Sequence, residues 1–99
     1  MRNAVTLGGQ LVERQPMRYT PAGIPIVQLR LGHRSRQSEA QLSRDVEADV
    51  AAVAAGPIAQ RIDPLPLGAR IEASGFLARR SRNVRSLVLH ITDFQIIED

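Results

Sequence analysis

Four arginines, Arg79, Arg80, Arg82 and Arg85, fall within seven consecutive residues that contain no carboxylate. Guanidinium groups at that density suit one kind of chemistry, the holding of a polyanion. Each planar fork can take two phosphate oxygens, and its charge persists at any physiological pH. Four like charges so close repel one another unless an anion is expected, which favours phosphate contact over a merely solvated loop. All thirteen basic residues are arginine, a composition that GC-rich coding explains as readily as phosphate binding. Placement says more. Residues 1–38 carry six Arg against one acid, residues 39–63 two against five, and residues 64–99 five against four, for a net charge of +3. A modest total therefore conceals a concentrated cationic segment, and local density is what an anionic polymer meets.

Catalysis has little to work with. The chain has no cysteine, so a disulfide, a thiolate nucleophile and a thiolate zinc site are all excluded. His33 and His90 are the only histidines. Each lies in a strand-like segment, where a hydrogen-bonded structural role is expected for both. Asp45, Glu47 and Asp49 follow one another at i, i+2 along a single strand face with no glycine-shaped loop around them, the pattern of a solvated surface rather than a hard-metal site. Gly8–Gly9 lacks the spacing and following helix of a phosphate-binding loop. The reading is a binding protein that is not an enzyme, with no metal and no cofactor. Aromatic side chains are few: Tyr19, Phe76 and Phe94, with no tryptophan. Phe76 and Phe94 sit in apolar strands and are assigned to the core, whereas Tyr19 adjoins a turn and is the candidate for stacking on a base.

The elements that must position these groups read as strands. Ninety-nine residues make one domain, 1–99, with a single core. No stretch reaches the ~20 apolar residues of a membrane helix. Met1–Arg2–Asn3–Ala4 does not open a secretory signal, so a cytoplasmic location is expected. Val5, Leu7, Gly9 and Leu11 alternate with their neighbours at strand period, and Gly8–Gly9 suggests a bulge or tight bend. Thr20–Pro21–Ala22–Gly23 is turn chemistry. From Ile24 to Arg34, Val27, Leu29, Leu31 and His33 share one face, and Gln28, Arg30 and Arg34 the other. Residues 35–43 read as a polar loop. Residues 44–55 are ambiguous: Val46, Val50 and Val53 have helical spacing in an alanine-rich stretch, yet Val46, Ala48, Val50 and Ala52 also alternate with acids as a strand does. Gly56–Pro57 starts a short helix through about Gln60, which Pro64 and Pro66 end. Strands follow at 69–78 and 86–97, with the arginine segment as the loop between them.

Five fragments taken together carry a family resemblance. They are Leu7–Gly8–Gly9–Gln10–Leu11, Pro21–Ala22–Gly23–Ile24–Pro25, Leu31–Gly32–His33–Arg34–Ser35, Ser74–Gly75–Phe76–Leu77 and Leu87–Val88–Leu89–His90. Over nearly its whole length the chain resembles the primosomal replication protein N (PriB) family of the bacterial single-stranded-DNA-binding protein superfamily. Ending at Asp99 without a long acidic-tipped tail is expected of that family rather than of the single-stranded-DNA-binding proteins themselves. The resemblance implies an all-β fold, a five-stranded OB-fold Greek-key barrel with a short helix between strands three and four. It therefore implies that residues 44–55 are a strand. It further implies a homodimer that binds single-stranded DNA and assists the restart helicase PriA and the primosome loading factors in reloading the replisome. Strand one, with few charges between Asn3 and Gln10, is the edge expected to pair with its copy.

On an OB-fold, the face of strands two and three and the loops joining strands 1–2 and 4–5 meet the ligand. That geometry nominates Arg14 and Arg18 from the first loop and Arg79, Arg80, Arg82 and Arg85 from the second. Arg34, ending strand two, and Arg44, opening strand three, complete the set. Arg30 reads as a solvated or barrel-wall residue. The sequence departs from the resemblance where relatives place aromatics: the matching positions here are Leu42 and Glu47. The expected consequence is weaker, more salt-sensitive DNA binding. Two alternatives keep the fold: a protein-interaction adaptor of the primosome with weak nucleic-acid affinity, and a module that reads structured RNA.

Overall fold

In the computed structural model, which describes residues 1–98, six strands and one helix follow in the order β1 (Val5–Arg14), β2 (Arg18–Tyr19), β3 (Pro25–Glu39), β4 (Leu42–Ala55), α1 (Pro57–Ile62), β5 (Arg70–Ser81) and β6 (Val84–Ile96). The sheet order is β1-β5-β6-β4-β3-β2, and an additional β1–β3 pairing closes it into a barrel. Leaving aside the two-residue β2, the five barrel strands and the helix stand in the order the resemblance implies. All ladders are antiparallel except β4–β6, which is parallel and consists of Ala52↔Leu89 and Val53↔His90.

Strand β1 closes the barrel because it changes partners along its length. Val5 to Gln10 pair with β5, and Gln10 to Arg14 pair with β3. Gly9 marks a close approach of β1 to β3: a Cβ on it would stand 3.1 Å from Leu31 Cβ and 3.2 Å from the Gly32 carbonyl oxygen. The bulge expected at Gly8–Gly9 lies instead between Leu11 and Glu13, for the glycines pair in regular register with Glu72 and Ile71.

The β3–β4 hairpin corrects the sequence reading most. Residues 35–43 are not a loop, for the ladder runs without interruption from Ile26↔Ala55 to Glu39↔Leu42. The chain reverses at Ala40 and Gln41, both with positive φ, 53° and 65°. That is the two-residue turn whose twist matches the flanking strands. Beyond His33 the hairpin projects past the barrel, so both faces are wet and the apolar alternation disappears although the strand continues. Residues 44–55 are strand, as the resemblance implied: a ladder of fourteen pairs outweighs alanine's helix propensity. Ala52 and Ala54 turn inward, at 3% and 1% exposure.

Helix α1 begins with Pro57 in its first turn after Gly56 at φ 81° and runs to Ile62, two residues beyond the expected end. It sends Ala59 and Ile62 into the same cluster as Leu11, Val27, Leu29, Leu31, Ile71, Ala73, Leu89, Ile91 and Phe94. Truncating a fully buried Leu or Ile here is expected to cost ~2–5 kcal/mol. The arginine segment 79–85 is also largely strand. β5 and β6 pair out to Ser81↔Val84, with register shifts between Ser74 and Gly75 and between Arg79 and Ser81.

Candidate nucleic-acid interface

On the outside of the barrel the strands enclose a groove of about 350 Å³. Its floor is the outward face of three strands: Gln28 and Arg30 from β3, Ala51 and Val53 from β4, and Val88 and His90 from β6. Glu13 and Gln15, near the end of β1, line one side together with Arg18 of β2, and Arg80 of β5 also contributes. Val88 is buried, lines the groove and does not belong to the core cluster.

The nominated arginines, and Arg30 and Arg36 beside them, divide by whether the chain already supplies a partner. Those on the β3–β4 hairpin are neutralised within the chain. Arg34 pairs with Glu47 at 2.8 Å, and Arg44 with Glu39 at 2.7 Å. Arg30 pairs with Asp49 at 3.0 Å, and Arg36 lies 3.6 Å from Asp45. The acidic face Asp45, Glu47 and Asp49 is therefore an ion-pair ladder across the hairpin. Arg14 is half-buried, and its Nη1 donates to the Leu65 carbonyl, tying β1 to the loop after α1. By contrast Arg18, Arg79, Arg80, Arg82 and Arg85 are exposed and have no carboxylate partner among the described residues. Only Arg18 and Arg80 of these line the groove. Arg79, Arg82 and Arg85 stand on the β5–β6 hairpin beyond it.

The aromatics also separate. Phe94 is buried, with the Arg61 guanidinium 4.7 Å above its ring. Phe76 is not core: it is 39% exposed and lies flat against His90, centroids 4.9 Å apart at 8°. His90 accordingly is held by a ring contact, and its imidazole makes no hydrogen bond among the described residues. His33 does take the expected role. Its Nδ1 lies 2.6 Å from the Gly8 carbonyl and its Nε2 2.8 Å from Ser35 Oγ. A carbonyl only accepts, so Nδ1 carries the proton and Nε2 accepts from the serine. Tyr19 is 60% exposed on β2, next to Arg18 but outside the groove lining.

Residues 3–93 match a family described as another single-strand binding protein family. The replication restart protein PriB of Nitrosomonas europaea is 38% identical over 97% of this chain and 89% of its own length. The three-dimensional structure of PriB from Ralstonia solanacearum superposes with a TM-score of 0.91 at 39% identity, covering 99% of this chain and 100% of that one.

The chain belongs to the PriB family.

PriB of Bordetella pertussis is 37% identical over 90% of the chain and 83% of its own length. The wider superfamily is visible too. The single-stranded DNA binding protein of Thermus aquaticus matches with a TM-score of 0.79 at 26% identity, this chain spanning 50% of its length. Against the PriB pattern, Leu42 sits exposed at the tip of the β3–β4 hairpin and Glu47 is engaged with Arg34. Neither offers a ring to a base. Gln28, Arg30, Phe76 and His90 were not nominated from sequence, yet alternation carried the signal. Ile71, Ala73 and Leu77 point inward, so Phe76 points out; Leu89 and Ile91 point inward, so His90 points out.

Proposed function

We propose that this chain binds single-stranded DNA as an accessory protein of replication restart and catalyses no reaction of its own. One observation carries the proposal: in a PriB-family barrel, the OB-fold ligand face is a groove whose unpaired cations, Arg18 and Arg80, adjoin a hairpin with three more. A cationic track beside flat side chains is how sequence-tolerant single-strand binders work. We assign Arg18, Arg79, Arg80, Arg82 and Arg85 as the principal phosphate contacts. Arg14, Arg34 and Arg44 become secondary contacts, since each already has a partner within the chain. Titrating a labelled oligo-dT at several salt concentrations tests the proposal. Binding that weakens steadily with salt is expected, with a log–log slope of about −3.5 for five contacts at ~0.7 each. No binding at low salt would end it.

The relatives' names support a setting in replication restart, and we extend the proposal as follows. Residues 1–99 act as one domain in the cytoplasm. The partners are the restart helicase PriA and the primosome loading factors, and the chain is a homodimer. The unpaired edge of β1 supports the last point, because among the described residues nothing pairs with Val5–Gly9 on the side away from β5. Sedimentation at micromolar concentration checks it, and a monomer would refute it. The neutralised β3–β4 ladder favours a second reading, an adaptor whose protein contacts outweigh its DNA contacts. Comparing single-stranded DNA with helicase as ligands of the same hairpin variants separates the two.

A further inference from the structure

We propose that Phe76, backed by His90, is the base-stacking platform of this interface: a nucleobase continues the Phe76–His90 stack on the open face of the phenyl ring. The inference rests on the single-stranded-DNA reading above and names the subsite where a base is held. Phe76 is 39% exposed in mid-strand, on the outward face of β5. One face of its ring covers the imidazole at 4.9 Å and 8°, so the remaining exposure lies on its other face and edge. A ring already held in one orientation loses little freedom when a base stacks on it. His90 is part of the groove floor, and Phe76, which does not itself line the groove, flanks it from the neighbouring strand β5.

The surroundings supply the other half of a nucleotide site. Four residues along β5, roughly 13 Å at strand rise, Arg80 reaches the same groove without a carboxylate partner among the described residues. A single extended strand of DNA can meet both. Of the other rings, His90 is already covered by Phe76 and Phe94 is buried, while Tyr19 stands apart on β2. The backbone is shaped to hold the pair. A Cβ on Gly75 would lie 1.8 Å from the His90 carbonyl oxygen and 2.8 Å from its carbon, so only glycine lets β5 come close enough to seat Phe76 on His90. A cross-strand aromatic pair can also exist for sheet stability alone, and the experiment separates that role from ligand contact.

The full chain is titrated with two labelled oligomers of equal length, oligo-dT and a base-free deoxyribose phosphate polymer. F76L keeps apolar volume and removes the flat ring. It is expected to weaken oligo-dT binding about fivefold or more and to leave the base-free polymer within about twofold of wild type. F76W gives a second, independent readout. The chain has no tryptophan, so its fluorescence reports on this position alone, and quenching by oligo-dT but not by the base-free polymer is expected. Equal oligo-dT affinity in F76L, equal losses on both polymers, or an unquenched F76W would each overturn the platform while leaving the DNA reading intact. If wild-type protein bound neither polymer, the DNA reading would fail and the platform with it.

Discussion

The β3–β4 and β5–β6 hairpins both carry arginines out beyond the barrel, and they treat them in opposite ways. On β3–β4 the ladder is unbroken, and Arg30, Arg34, Arg36 and Arg44 each face a carboxylate. On β5–β6 the register shifts twice, and the arginines at the far end face none among the described residues. A phosphate approaching the first hairpin must displace a carboxylate of similar attraction, and exposed pairs of that kind contribute only ~0–1 kcal/mol to begin with. A phosphate approaching the second releases counterions outright. Arginine count is thus a poor measure of phosphate-binding capacity; what matters is whether the fold has already neutralised the charge.

The contrast can be broken most directly at its strong end. Replacing Arg79, Arg80, Arg82 and Arg85 together by alanine should weaken oligo-dT binding by roughly a hundredfold near 0.1 M salt and flatten the salt slope by about 3. Anisotropy titrations across salt measure both, and an unchanged slope would dissolve the distinction between the hairpins. Next in size is Gly75→Ala. Its methyl collides with backbone rather than with a yielding side chain, so a loss of ~2–3 kcal/mol is expected in urea unfolding. A neutral result would mean that β5 and β6 can separate there at no cost. Neutralising the ladder with D45N, E47Q and D49N should do the reverse of the first experiment. Oligo-dT affinity rises about three- to tenfold and the slope steepens by up to about 2, with stability changing by no more than ~1 kcal/mol. The smallest effect belongs to Arg44→Ala, expected to alter affinity less than about twofold because its partner Glu39 holds it. A large loss would move Arg44 into the unpaired group.

The barrel was legible because its inner faces obey the period of two: Val27, Leu29 and Leu31 announce β3, and Ile71 and Ala73 announce β5. Legibility ended where burial ended. Residues 35–43 resemble a loop because, beyond the barrel, neither face has anything apolar to bury. Their turn also falls on Ala40–Gln41, which lacks the Asn-Gly or Asp-Gly that normally marks it. That omission hid the ladder too. Arg34 and Glu47, and likewise Arg36 and Asp45, are mirror images about residues 40 and 41, so one correct turn would have paired them. Residues 44–55 could not be settled by periodicity, since alanine fits a helix surface and a crowded barrel wall equally well. The arginine cluster was plain in the sequence, but that two register shifts shape the hairpin carrying it was not. Phe76 shows a different failure. Alternation placed it outside, while residue type argued for core, and alternation was the better guide.

Between the two hairpins runs the parallel contact of β4 with β6, only two residue pairs long, against fourteen in one hairpin and ten in the other. Mechanically the barrel is a pair of well-zipped ribbons joined on this side by a short seam, and the groove lies directly over it. Fluctuations that open the wall should begin at that seam, where the fewest bonds must break. A polymer resting across both ribbons acts as a splint, so amide exchange around residues 52–53 and 89–90 should slow when the groove is filled, while the tip of the β3–β4 hairpin goes on exchanging as before.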